Sequence, residues 1–355
     1  MKKYSYRVTL LFILLLVFLL AFSSCFSHSV PKEETPLEDA PLRRTEFVLG
    51  TAATISLYDH KENDILNKAF NKLRGLEDTL SINKSSTLIG TINKNSGIAP
   101  VNVDNQTLFI ISKSLEYSTL SNGSFDITIG PIVKLWNIGF PNARVPAKEE
   151  IDAKLSLVGY KNLEIDKNKS TVFLKSKDMM IDLGGIAKGY ATDEVVKILK
   201  QNDINHALVD IGGNIFALGT KPDGSLWKIG VQDPFNPRGT AIGAIPLSDQ
   251  SIVTSGIYER YLEEGGKKYH HMLSPYTGYP FENELASVTI ISKTSIDGDA
   301  LSTTVFSKGL EEGMRFVDPL KDVEAVFITK DKKVYLTKNL EDTFVLVDDT
   351  FTLVK

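Results

Sequence analysis

Apolar and polar residues alternate along several short stretches of the chain, the period-two signature of strands with one buried face. "TAATISLYD", "STVFLKS", "HALVDIGGNIFALGT", "LWKIGVQDP", "ASVTIIS" and "EAVFITKDKKVYLT" all read this way, several of them joined by hairpin-like turns. Over residues 62–80, 105–119, 187–201 and 297–308 the apolar positions recur at helical spacing instead. The two kinds of element are mixed without regular βαβ alternation, so the pattern predicts an α+β fold with mixed sheets and packed helices rather than a doubly wound sheet. "DLGGI" at 182–186 and "DIGGNI" at 210–215 each place an acid and a Gly-Gly pair at the end of an apolar stretch. This echo fits either an internal duplication or two unrelated strand ends, since Gly-Gly commonly ends strands.

The N-terminus follows a different rule. Lys2, Lys3 and Arg7 precede an apolar run from Val8 to Phe22, interrupted only by Thr9, about fifteen residues, the length of a signal-peptide core and short for a membrane span. The run ends in "AFSSC", whose Cys25 is the only cysteine in the chain and so has no internal disulfide partner. The reading is a lipoprotein signal peptide over 1–24 with lipid on Cys25, although Phe22 is unusual at the third position before the cysteine. Residues 25–44, rich in proline and charge and without periodicity, read as a flexible tether. Residues 45–355 are long enough for one large domain or two moderate ones, and nothing after residue 25 is long and apolar enough to span a membrane.

A formal net charge of −4, with no basic cluster or aromatic-interleaved basic stripe, argues against a nucleic-acid partner. Candidate chemistry lies in four segments. "MMIDLGGIAKGYATDEVVKIL" runs through Gly184 and Gly185 into a helix with Lys188 in its first turn, a suitable arrangement for an anion such as phosphate; a purely structural turn fits it as well. Its glycine–lysine spacing is neither the nucleotide P-loop nor the dinucleotide fingerprint. In "SIDGDALSTTVFSKG", Asp299 and Thr303 stand four residues apart on one helix face. They are hard-oxygen donors suited to magnesium, unless Asp297 or Asp299 is simply an N-cap. "SNGSFDITIGPIVKLWNIGFP" combines Asp126 and Thr128 with aromatics and reads largely as packing around Trp136. "YHHMLSPYTGYP" spends two of the five histidines side by side. In a strand they point to opposite faces, so one at most serves a given site; zinc is disfavoured by the lack of a second histidine at helical spacing and of a free cysteine.

Taken together and in order, "FDITIGPIVKLW", "IDLGGIAKGYATD", "VDIGGNI", "VTSGIYERY", "YHHMLSPYTGYP" and "DALSTTVF" resemble the FAD:protein FMN transferases, the ApbE family of flavin-transferring lipoproteins, over essentially the whole chain from Glu46 onward. The resemblance implies a T-fold-like architecture and the Mg2+-dependent transfer of FMN from FAD to a threonine or serine hydroxyl of an exported redox protein, forming a phosphodiester and releasing AMP. It implies metal ligands at Gly185 (through its carbonyl), Asp299 and Thr303. Contacts to FAD are implied at Leu49, Asn83, Ser124, Phe125, Asp126, Asp182, Lys188, Ser255 and Leu273, and a catalytic base at His271, a role that Asp182 could share; His270 falls at a more variable position. The protein would then be exported and lipid-anchored to a bacterial membrane. Leu49 stands where methionine is common in the family, Asn83 where a tyrosine is common, and Ser274 and Tyr276 where an acid and an arginine are common. The Asn83 departure supports an alternative, a Mg2+-dependent FAD pyrophosphatase giving FMN and AMP; a flavin-binding lipoprotein without turnover is a third reading.

Overall fold

A computed structural model describes residues 40–354. The expected signal peptide, Cys25 and most of the tether lie outside the described residues. The folded unit begins at Pro41, and its first strand, Leu42–Val48, takes in three residues that the sequence places in the tether. Leu42 pairs with Leu57 across the first hairpin, and Arg44 reaches Asn63 and Asn67 on the following helix at 3.0 and 2.7 Å. These long-range partners are invisible in a stretch whose local composition is polar.

A nine-stranded sheet forms the centre, in the order Leu42–Val48, Thr51–Leu57, Ala207–Ile211, Asn214–Leu218, Gln250–Gly256, Leu285–Ser292, Glu324–Thr329, Lys333–Leu336, Thr352–Leu353. Every pairing is antiparallel except the last. The strand Leu285–Ser292 is buried along its whole length because both of its faces are covered. Val288 and Ile290 pack on the helical side, and Ile291 packs with Trp227, Ile229 and Ile245 of the smaller sheet formed by Trp227–Gln232, Ala241–Leu247 and Val345–Leu346. A further small sheet joins Val101–Asn102, Thr171–Leu174 and Leu163–Asp166, and Tyr261–Glu264 pairs with Lys267–His270 as a separate hairpin. The architecture is the expected mixture of sheets and packed helices.

The helices Asn63–Leu80, Asn105–Leu120, Ala187–Gln201 and Ser295–Val317 match the four periodic stretches. In the first, Ile65, Leu66, Ala69, Phe70, Leu73, Leu76 and Leu80 are buried along one face, the stripe that binds an amphipathic helix to a sheet. The last is two helical segments meeting at Gly309, whose φ of 74° breaks the helical path; the periodicity over 297–308 stops at that break. Three shorter helices, Leu88–Lys94, Gly130–Trp136 and Lys148–Leu155, are too brief to establish a period. No helix among the described residues is long and apolar enough to cross a membrane.

The two Gly-Gly turns take different roles. "DIGGNI" is the tip of the hairpin between Ala207–Ile211 and Asn214–Leu218. "DLGGI" leads into the helix Ala187–Gln201 from a segment that makes only a single bridge, Met180 with Ile129, instead of the strand suggested by its apolar residues. One end of the sheet gathers the Leu49–Gly50 tip, the Gly212–Gly213 tip and the end of the strand Gln250–Gly256, because antiparallel pairing brings these reversals level.

Candidate active site

The glycine turn at 182–186 is held from both sides. Asn93 clasps Ile181, accepting its N–H at 2.7 Å and donating to its carbonyl at 3.0 Å, and the Asp182 N–H donates to the Ile127 carbonyl at 2.7 Å. Asp182 Oδ1 then accepts the Gly184 N–H at 2.6 Å, closing a short side-chain-to-backbone turn. Neither neighbour leaves room for a side chain at the glycines. A Cβ on Gly184 would lie 2.9 Å from Asp182 Oδ1, and one on Gly185 would lie 3.1 Å from the Phe125 ring and 3.7 Å from Thr303 Oγ1. The Gly185 backbone therefore passes close to Thr303, which lies on the same helix as Asp299.

Asp299 lies one helical turn before Thr303 and is 4% exposed. Its Oδ1 is 3.2 Å from Lys188 Nζ, and its Oδ2 accepts the Gly189 N–H at 2.9 Å. Two helices thus cross with the ammonium of one facing the carboxylate of the other. Gly189 permits the crossing: a Cβ there would lie 2.3 Å from the Ser295 carbonyl oxygen and 2.7 Å from Asp299 Cβ. The helix begins at Ser295, so Asp299 is no N-cap, and Thr294, its N-cap residue, makes no side-chain cap hydrogen bond. The Asp193 carboxylate on the crossing helix instead accepts the Ser295 and Ile296 N–H groups at 2.7 and 2.8 Å. Burial pushes the Asp193 carboxyl up to about 6 against the pull of those two donors. Asp297 accepts from Thr294 and Tyr117.

A strand and a loop are also tied to the Asp299 helix. Ser255 and Ser302 hydroxyls meet at 2.8 Å, and Ser307 donates to Ser124 at 2.8 Å. Phe125 is buried against Gly185. Asp126, also buried, accepts the Thr128 N–H and hydroxyl, each at 2.7 Å, and the Tyr160 N–H at 2.8 Å; its carboxylate fixes the loop that presents Ser124 and Phe125.

The two histidines have different surroundings, but strand alternation is not the reason, because the strand ends at His270 and His271 lies in the bend that follows it. His270 is buried, donates through Nε2 to the Phe281 carbonyl at 2.9 Å, and lies edge-on to Phe306. His271 is half-buried, and its ring Nδ1 stands 3.1 Å from the Arg260 carbonyl. A carbonyl only accepts, so Nδ1 carries the proton and Nε2 is left with its lone pair. Burial first, then the positive charge of Arg260, lowers the imidazole to about 3, with His270 and Lys188 adding to the effect. Burial raises the Asp182 carboxyl, opposed by the Gly184 N–H and by Lys134, Arg260 and Lys188. Arg260 and Lys188 therefore act on Asp182 and His271 alike, which sets both groups in one electropositive region.

Asn83 is exposed and accepts from Lys134 Nζ at 2.5 Å, which places it on the Lys134 side of Asp182. Leu49 occupies the first position of a two-residue hairpin turn with φ of 56°, followed by Gly50 at 69°. The Leu273 side chain is buried with Ile132, Trp136 and Ile151 in a small separate core, and its backbone bridges Pro280. Arg260, Lys134 and Asp193 were not singled out in the sequence. The first two lie inside the motifs "VTSGIYERY" and "FDITIGPIVKLW", but nothing in their local spacing announces partners so distant in the chain.

The fold and this geometry define an α+β protein with a glycine turn packed beside a lysine–aspartate pair that joins two crossing helices. The chain belongs to the ApbE family, whose sequence model matches residues 49–327. It is 36% identical over 307 residues to a FAD:protein FMN transferase of Klebsiella pneumoniae (strain 342), covering 86% of this chain and 95% of that one. It is 34% identical over 327 residues to a FAD:protein FMN transferase of Treponema pallidum (strain Nichols), covering 87% and 90%. Among solved structures it resembles the ApbE protein of Thermotoga maritima, with a TM-score of 0.78 and 31% identity over 85% of this chain and 99% of that one. The flavin transferase ApbE from Vibrio cholerae gives a TM-score of 0.76 at 28% identity, covering 85% and 99%.

Proposed function

We propose that this chain is a FAD:protein FMN transferase that moves FMN from FAD to a threonine or serine hydroxyl of an exported redox protein. The observation that carries the reading is the crossing at Lys188 and Asp299 beside the Gly184–Gly185 turn and Thr303, in a chain so similar to enzymes of that name.

The donor set of Asp299, Thr303 and the Gly185 carbonyl is all oxygen with a single carboxylate, which fits magnesium. Bound there, the ion would polarise the pyrophosphate and offset charge on the departing AMP. Lys188 and the amides at the start of its helix would bind the pyrophosphate oxygens. In the reaction, the acceptor oxygen attacks the FMN phosphorus. A new P–O bond forms as the pyrophosphate P–O bond breaks, AMP leaves with that electron pair, and the hydroxyl proton passes to His271 Nε2. The anionic substrate raises the imidazole's low pKa towards a useful value, since neighbouring negative charge favours the imidazolium. Asp182, within the same charged region, could share the proton.

We also read residues 1–24 as an export signal and Cys25 as a lipid attachment point, with the stretch from Cys25 to Ala40 tethering the folded unit that begins at Pro41 to a bacterial membrane; the basic–apolar–small pattern ending at the lone cysteine supports this. Radiolabelled palmitate incorporation into the wild-type chain and its absence in Cys25→Ser would be the expected result, and equal labelling would reject it.

Incubating the chain from residue 26 with FAD, magnesium and a threonine-bearing acceptor should give an acceptor heavier by one FMN together with AMP. The exposed Asn83, in place of an aromatic wall, favours a second reading in which the chain also hydrolyses FAD. AMP formed without acceptor would support it, and no AMP under those conditions would sink it. FAD that stays bound with neither product would leave only the carrier reading.

A further inference from the structure

The Asp-Ile-Gly-Gly-Asn turn at 210–214 has no part in the site described above. Asp210 Oδ1 accepts the Gly213 N–H at 2.8 Å, which is enough to fix the hairpin. The Gly212 N–H donates to the Ala52 carbonyl at 3.1 Å, which sets this tip against the tip carrying Leu49. Asn214 is needed for neither contact. It is 2% exposed, and its Nδ2 is buried with no hydrogen-bond partner. A buried amide donor left unpaired costs stability, and a β-branched apolar residue would suit this strand better.

The register shows where that amide lies. Asn214 is paired with Val253, and cross-strand partners project from the same face of a sheet. On that face, Val253 packs under the first turns of the Asp299 helix: a Cβ on Gly298 would lie 2.9 Å from Val253 Cγ2. Ser255, two residues further along the strand and so on the same face, bonds to Ser302 of the same helix. Phe216, two residues beyond Asn214, lies against the helix that carries Lys188, lining a cavity with Tyr190 and Val196. The carboxamide is therefore on the helix-covered face at the end of the sheet where the site is built.

We propose that Asn214 is a further substrate contact, its Nδ2 donating to an oxygen of bound FAD; this rests on the flavin-transfer reading of the site. The buried, unpaired amide is then a donor held in place for the dinucleotide.

The test compares the wild-type chain with Asn214→Leu, which removes the unpaired donor at similar volume, and with Asn214→Ala, which adds no bulk if leucine fails to fold. Ligand-free melting temperature and the FAD dissociation constant are measured for each. The proposal expects a ligand-free melting temperature equal to or above that of the wild type, FAD binding weakened at least tenfold, and a raised KM for FAD with kcat changed far less. A purely structural asparagine would move the melting temperature and leave FAD affinity alone. Affinity within threefold of the wild type in a folded variant overturns the proposal while leaving the flavin reading intact, whereas a wild-type chain that binds no FAD removes both.

Discussion

Lys188 Nζ lies 3.2 Å from Asp299 Oδ1, joining the two helices that form the centre of the site. The Gly189 N–H occupies the other carboxylate oxygen, so both oxygens of Asp299 are engaged. On the proposed function, a cation arriving at Asp299 would compete with Lys188 and free its ammonium for the pyrophosphate of FAD.

Magnesium and FAD should therefore bind cooperatively, each tightening the other. Lys188→Met leaves a buried carboxylate without its counter-charge, a loss on the order of 3 kcal/mol. Added magnesium should recover much of it, giving a larger magnesium-dependent rise in melting temperature than in the wild type. Asp299→Ala should show no such rise and no transfer activity. Thermal melts with magnesium and with a chelator check both, and an unchanged magnesium response in Asp299→Ala would exclude this carboxylate as a ligand.

The His271 imidazole, lowered to about 3, makes a prediction about pH. The unfolded ring titrates near 6.5, so between about pH 6.5 and 3 the unfolded chain binds the extra proton and the folded chain does not. Stability contributed by the neutral ring is full above that window and is lost as pH falls through it. His271→Gln should melt less steeply than the wild type on acidification from pH 6.5 to 4. In the FAD complex the ring should titrate higher, since the pyrophosphate favours the imidazolium. NMR titration of labelled imidazole with and without FAD reads this directly, and a ring titrating near 6.5 in the ligand-free chain contradicts the assigned environment.

The parts of this structure that could be read from sequence are those set by local periodicity or by residue type. The four long helices appear because their buried residues repeat every three to four positions, as from Ile65 to Leu80. The hairpin at 207–218 appears because two alternating runs flank Gly212–Gly213. Asp299 and Thr303 share a face by helical spacing alone, but their convergence with Gly185 depends on two helices crossing at Gly189, more than a hundred residues away in the chain. Arg260 has no signature in local spacing, because its carbonyl meets His271 only across a hairpin and its charge reaches Asp182 from far along the chain. The short helix Gly130–Trp136, with Pro131 in its first turn, is too brief for periodicity and follows from the packing of Trp136.

Asp193 illustrates a cap supplied from another element. Its carboxylate takes the Ser295 and Ile296 N–H groups, and its pKa of about 6 lies above the unfolded value near 3.9. The folded chain therefore holds the proton more tightly between about pH 4 and 6, and this contribution to stability is largest below that window and falls as pH rises through it. Asp193→Ala should cost about 1–2 kcal/mol near pH 4, with the gap from the wild type narrowing towards pH 7. It should also weaken the magnesium response, because the start of the Asp299 helix loses its tie to the helix of Lys188. A gap that widens as pH rises would mean that the carboxylate, not the acid, is the stabilising form.

Leu49 presents the opposite case, a side chain kept at a conformational cost. With Gly50 it forms a two-residue hairpin turn in which both central residues have positive φ, 56° and 69°, the geometry that favours Asn-Gly. For leucine the left-handed region costs roughly 1–2 kcal/mol, and such strain tends to persist where function needs it. Leu49→Asn should stabilise the ligand-free chain by about 1 kcal/mol and raise its melting temperature by a few degrees. If the leucine side chain is retained to pack against a flat ring of FAD, the same substitution should weaken FAD binding severalfold. Stabilisation without loss of FAD affinity would show that the strained leucine serves some purpose other than holding the ring.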